Sequence, residues 1–137
     1  PGEAAEWYRR AIGVSPGDAA LHYQLAVALT GMNRLDEAAS ELGTALRLDP
    51  GSAAACDDLG VLLARRGDLA GAERRFHQAY RIDPARPSTL FNLGGVAMSV
   101  GRFDEAAAWY RKALAVKPDF EGARRNLSEA EARLAKR

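Results

Sequence analysis

Four prolines divide this 137-residue chain at one interval: Pro16, Pro50, Pro84 and Pro118 each stand 34 residues from the next. Self-similarity at a period of roughly 20–50 residues marks an array in which one supersecondary unit is used repeatedly. Other columns keep the same register. Ala4, Ala38, Ala72 and Ala106 form one, and Ala11, Ala45, Ala79 and Ala113 another. Leu25, Leu59, Leu93 and Leu127 form a third, followed in each case by a small residue: Ala26, Gly60, Gly94 and Ser128. Chance could align one such column in an alanine-rich chain, but not all of them in a single register.

Within a unit the columns alternate small and large. Bulky side chains recur at Tyr8, Leu42, Phe76 and Tyr110, and aliphatic ones at Val14, Leu48, Ile82 and Val116. Small residues suit places where two helix backbones approach closely, and large ones fill the space between helices. The spacing around them is helical, with Ala38, Leu42, Ala45 and Leu46 on one face. Breakers at Gly31 to Arg34, Gly67-Asp68 and Gly101-Arg102 split each unit into two helices. The proline then ends the unit, since it cannot continue a helix and biases its predecessor away from helical angles. Asp18, Ser52 and Asp119 are expected to cap the helices that follow, and Pro87 suits the first turn of another.

Composition narrows the function classes. Nineteen basic and eighteen acidic residues leave a net charge of +1, without the basic stripe that a nucleic-acid partner calls for. No apolar run approaches the roughly 18–20 residues of a membrane span. Cys56 is the only cysteine, so no intrachain disulfide forms, and a small buried apolar role is expected for it. No compartment is fixed by these features; the cytoplasm is the working expectation.

Catalytic patterns are missing as well. His22 and His77 are the only histidines, and neither stands in a nucleophile motif. His22 and Cys56 share a repeat position, but two ligands make no structural metal site. Gly94-Gly95 falls mid-helix, where glycine permits close helix contact, and no phosphate-loop lysine accompanies it. Asp57 and Asp58 project about 100° apart on a helix, which suits a solvated or partner-facing pair better than a catalytic dyad. The arginine pairs at 65–66, 74–75 and 124–125 are interspersed with acids and read as solvated helix faces. No enzyme activity, metal or cofactor is expected.

These residues resemble a known family. Leu93-Gly94, then Gly101-Arg102-Phe103-Asp104-Glu105-Ala106, Tyr110, Ala113 and Pro118 look like the tetratricopeptide repeat. Residues 53–86 carry a second copy, in Leu59-Gly60, Gly67-Asp68-Leu69, Ala72, Phe76, Ala79 and Pro84, and residues 19–52 a third. One departure is that His22, Cys56 and Leu90 stand where the family has a large aromatic. The resemblance implies an all-α fold, a right-handed α-solenoid of antiparallel helical hairpins with about eight helices. Complete repeats are expected over 19–52, 53–86 and 87–120. Residues 1–18 would supply the second helix of a truncated repeat, leaving Trp7 and Tyr8 on a face without its usual cover. Residues 121–137 would form a capping helix, with one apolar stripe through Phe120, Ala123, Leu127, Ala130 and Leu134.

In this family the first helices line a concave surface. Carried over by position, that surface comprises Tyr23, Gln24 and Val27, then Asp57, Asp58 and Val61, then Phe91, Asn92, Gly95 and Met98, and finally Arg125, Asn126 and Glu129. Gln24, Asp58, Asn92 and Asn126 make one polar column, suited either to holding a peptide backbone or to bridging helices. Tyr23, Phe91 and Met98 would be apolar anchors. The resemblance thus implies a non-enzymatic module binding a neutral or basic, partly apolar segment of a protein partner. Some relatives clamp an acidic C-terminus with groove lysines, which the pattern here lacks. Two alternatives stand beside this reading. One is the docking or regulatory arm of a larger enzyme, such as a bacterial glycosyltransferase or methyltransferase. The other is homo-oligomerisation through the uncovered N-terminal edge.

Overall fold

A computed structural model describes residues 2–136. It contains eight helices: α1 (Gly2–Val14), α2 (Ala19–Gly31), α3 (Leu35–Leu48), α4 (Ala53–Arg65), α5 (Leu69–Ile82), α6 (Pro87–Ser99), α7 (Phe103–Val116) and α8 (Glu121–Ala135). Among the described residues there are no strands. Each helix packs on the next, and α4 also meets α6, as α6 meets α8. The result is an all-α solenoid whose even-numbered helices form one layer and whose odd-numbered helices form the other.

Local chemistry sets the helix ends. Asp18 accepts a hydrogen bond from the Ala20 amide and Ser52 from that of Ala55, so both cap as the sequence implies. Asp119 does not cap. The capping position of α8 belongs to Phe120, which offers no side-chain bond; the 34-residue register aligns Phe120, not Asp119, with Asp18 and Ser52. Pro87 opens α6, where its missing N–H costs nothing. The tight links between α2 and α3, α4 and α5, and α6 and α7 each turn on one left-handed residue: Asn33 (φ 60°), Gly67 (φ 86°) and Gly101 (φ 79°). Glycine visits that region freely, and asparagine is among the few other residues that tolerate it.

The core is a chain of small-to-large interlocks. Gly60 receives the buried Phe76 ring and Gly94 the buried Tyr110 ring. A Cβ at either glycine would lie 2.5 Å from the facing aromatic carbon. In the preceding hairpin Ala26 takes the glycine position and the smaller Leu42 the aromatic one, both buried in one cluster. Volume is exchanged between partners while the sum is kept. Cys56 and Leu90, which stand where the family has a large aromatic, are fully buried, and His22 is 8% exposed. Trp109, not foreseen as a core residue, meets Tyr80 edge-on at 5.0 Å, with Lys112 over its face at 4.7 Å.

The ends differ from the middle. On α1 only Ala5 is buried, while Trp7 is 61% and Val14 85% exposed. On α8 the buried residues are Ala123 and Ala130, and Arg124, Ser128 and Glu131 face solvent. No helix of the described chain is long and apolar enough to cross a membrane.

Candidate functional site

The expected groove residues all lie on the even-numbered helices, but the structure assigns them different work. Asp57 is the largest correction. It is 2% exposed, neither solvated nor open to a partner. Its Oδ2 accepts from Arg86 Nε at 3.0 Å, Ser88 Oγ at 2.8 Å and Thr89 Oγ1 at 2.9 Å, and Asn92 Nδ2 lies 3.5 Å from Oδ1. A buried carboxylate survives only with such donors around it. It also sits at the start of α6, where the helix dipole favours negative charge. Asp57 is therefore a bridge between α4 and α6.

Asp58 keeps a place on the groove, half-buried. It accepts from the Tyr23 hydroxyl at 2.7 Å, which ties α2 to α4. Burial raises the Asp58 carboxyl above its ordinary value; the nearby Asp57 charge adds to this, and the Tyr23 bond works against it. Burial and the bond to Asp58 together push the Tyr23 phenol up to about 12. Asn126 donates to Tyr110 Oη at 3.4 Å. Of the polar column, Asp58, Asn92 and Asn126 thus bridge neighbouring helices, while Gln24 is exposed.

Two hollows remain open on this face. The first, about 180 Å³, is lined by Ala26, Val27, Thr30, Leu42, Asp58, Val61 and Leu62. The second, about 330 Å³, runs between α4, α5 and α6 and takes in Val61, Phe91, Asn92, Gly95 and Ser99 with Arg65 at its rim. Val61 belongs to both, so the hollows are neighbours along the layer. Phe91 also stacks on Phe120, with ring centres 5.0 Å apart, and so doubles as a core residue. Met98 lines neither hollow. It is half-buried against the core cluster that α6, α7 and α8 share. Arg125 and Glu129 are exposed on α8, with Glu129 engaged by Arg133.

Sequence reasoning missed Arg86, Ser88 and Thr89. A signal was present: at those three positions, and at Asp57, the neighbouring repeats carry unrelated residues. His22 is accounted for without a metal. Its Nδ1 meets Glu41 Oε2 at 2.7 Å and its Nε2 the Pro16 carbonyl at 2.9 Å. Among the described residues no three His, Cys, Asp or Glu side chains gather as a metal site.

Comparison with known proteins agrees with this architecture. Among curated proteins no sequence match is found. Solved structures match closely in shape. A crystal structure of MamA protein superposes with a TM-score of 0.88 at 22% identity, over 96% of this chain and 72% of that one. The first TPR of Spaghetti (RPAP3), bound to the HSP90 peptide SRMEEVD, gives 0.83 at 18% identity, over 85% and 93%. The Arabidopsis OM64 TPR domain gives 0.78 at 19%, over 82% and 93%. Two family models, both described as tetratricopeptide repeat, match residues 1–61 and 57–119. With nearly the whole chain matched by those models, and with hairpins interlocked through the same small and large columns, this protein belongs to the tetratricopeptide repeat family.

Proposed function

We propose that the chain is a non-enzymatic interaction module that holds an extended segment of a protein partner along the face built by α2, α4, α6 and α8. One observation carries this reading: two neighbouring hollows, mostly apolar and each bearing few polar groups, lie side by side on that layer and meet at Val61. Such concave, largely preformed sites lower the ordering cost of association. A protein of similar fold is solved with a peptide bound, which supports a peptide segment as the class of occupant. The tail clamp is disfavoured here, since α2, α4, α6 and α8 contain no lysine.

The segment need not be neutral or basic, because Asp57 is neutralised inside the fold by Arg86. The test centres on Val61 and leaves Phe91 and Asn92 alone, since those two also hold the core and the Asp57 bridge. Peptides recovered from a displayed random library on the wild-type protein would be titrated against Val61→Arg. A half-buried valine on a helix can give way to arginine with its head in solvent, so the circular dichroism should be unchanged. Binding should weaken by about tenfold or more, corresponding to ~1.4 kcal/mol. Equal affinity for the variant would defeat the groove reading.

A further inference from the structure

The two adjacent glycines of α6 behave differently. Gly94 is required by packing, since a Cβ there would strike the Tyr110 ring. Gly95 has nothing within 4 Å of where its Cβ would sit. It lies mid-helix, where glycine is the poorest residue after proline, and neither a turn nor a close approach within the fold calls for it. Gly43 in α3 is also uncrowded, so room alone is no sign of a role. Gly95 differs in its setting, because it lines the hollow between α4, α5 and α6.

The rest of that hollow has a definite chemistry. Val61, Leu69, Phe76, Phe91 and Val96 make its walls apolar. Arg65 is the one charged side chain among the described residues lining it. Its neighbour Arg66 is paired with Asp36, and Arg86 with Asp57, but Arg65 has no carboxylate partner among the described residues. The neighbouring hollow bears Asp58 instead. The charge carried by the groove therefore changes sign across Val61.

Building on the groove reading above, we infer that this hollow is a specificity pocket. It takes one bulky apolar side chain of the partner segment, flanked by an acidic residue that pairs with Arg65, and Gly95 keeps the pocket open for it. The missing Cβ leaves room for the side chain, the apolar walls reward its burial, and the unpaired guanidinium at the rim supplies the charge complementarity.

Three capped dipeptides serve as probes: acetyl-phenylalanyl-glutamate amide, its phenylalanyl-glutamine counterpart and its alanyl-glutamate counterpart. Each is titrated into the isotope-labelled chain while backbone amide shifts are followed by NMR. The first should shift the Val61, Gly95 and Ser99 amides saturably. Replacing glutamate by glutamine should weaken binding about threefold, the scale of an exposed ion pair. Replacing phenylalanine by alanine should weaken it by more than about tenfold, as expected for a lost aromatic burial. Gly95→Leu should abolish the shifts. Gly95→Ala, which is uncrowded and keeps the fold if the leucine variant does not, should weaken them part-way. Arg65→Gln should remove the preference for glutamate. Unmoved Gly95 and Ser99 amides, alanyl binding as tight as phenylalanyl, or full affinity in Gly95→Ala and Gly95→Leu would each overturn the proposal. Shifts confined to Val27 and Thr30 would overturn it while leaving the groove reading intact. Failure of the groove itself would appear separately, as the insensitivity of library-selected peptides to Val61→Arg.

Discussion

At His22 two acceptors face one ring. Glu41 and the Pro16 carbonyl each take a ring nitrogen, and both nitrogens can donate at once only in the imidazolium. Burial by itself pulls the group down. The Glu41 bond, the Pro16 bond and the charges of Glu41 and Asp18 outweigh it and leave the net value above 6.5. Folding therefore favours the protonated ring. The stability it contributes is complete below about pH 6.5 and is lost as pH rises through the higher folded value. Melting temperature should fall over that window in the wild type and stay flat in His22→Gln, and a thermal-melt series from pH 5.5 to pH 8.5 checks this. At acid pH the variant should be less stable by about 1.5–3 kcal/mol, the range for hydrogen bonds to charged groups. A sequence cannot announce this pairing, because Glu41 lies nineteen residues away on the next helix. It does announce that the column which elsewhere holds Cys56 and Leu90 is buried. Asp57 was misread for the same reason: adjacency to Asp58 is visible in one dimension, whereas the donors from α6 are not.

Between helices the fold is written as exchanged volume. The pairs Ala26 with Leu42, Gly60 with Phe76 and Gly94 with Tyr110 solve one packing problem in two ways. Each column was legible beforehand, since both recur every 34 residues; that the small one faces the large one is seen only in the fold. What the columns could not show was which glycines are needed. Gly94 and Gly95 look alike in a sequence, and only the Tyr110 ring above one of them separates their roles. The family resemblance implies a groove position for Met98, whereas the fold half-buries it against the core shared by α6, α7 and α8. The interlock is open to a double-mutant cycle. Gly60→Ala alone should cost about 1–3 kcal/mol from overpacking, because the buried Phe76 ring has nowhere to go. Phe76→Leu alone should lose a similar amount by leaving a void. Together they rebuild the Ala26–Leu42 arrangement, so the double variant should be more stable than the sum of its parts by about 1 kcal/mol or more. Urea denaturation of the four proteins decides it, and strict additivity would mean that the two sites do not interlock.

Across the whole molecule stability cannot be uniform, because each helix of a solenoid is held only by its neighbours. The two end helices are covered from one side only, α1 by α2 and α8 by α7 and α6, and α1 buries a single alanine and α8 two. The middle is doubly held, with α4 packed on α3, α5 and α6 and joined to α6 through Asp57. Cys56 stands at that centre, fully buried. Its thiol is pushed up first by burial and also by the adjacent Asp57 charge, against the pull of Arg75 and Arg81. Both the burial and the raised value suppress the thiolate on which thiol chemistry depends. Modification of Cys56 by a disulfide reagent should therefore require opening of the array, with a rate set by the free energy of that opening. Asp57→Asn keeps the shape of the carboxylate but removes the charge that holds Arg86. It should raise the labelling rate, by about tenfold for each ~1.4 kcal/mol of lost opening energy. A change confined to α1, such as Trp7→Ser, should leave the rate almost as it was, since fraying of an end need not expose α4. The comparison separates a linear array from a domain that unfolds all at once. If Trp7→Ser and Asp57→Asn speed labelling equally, the helices open together and the nearest-neighbour picture of this chain is wrong.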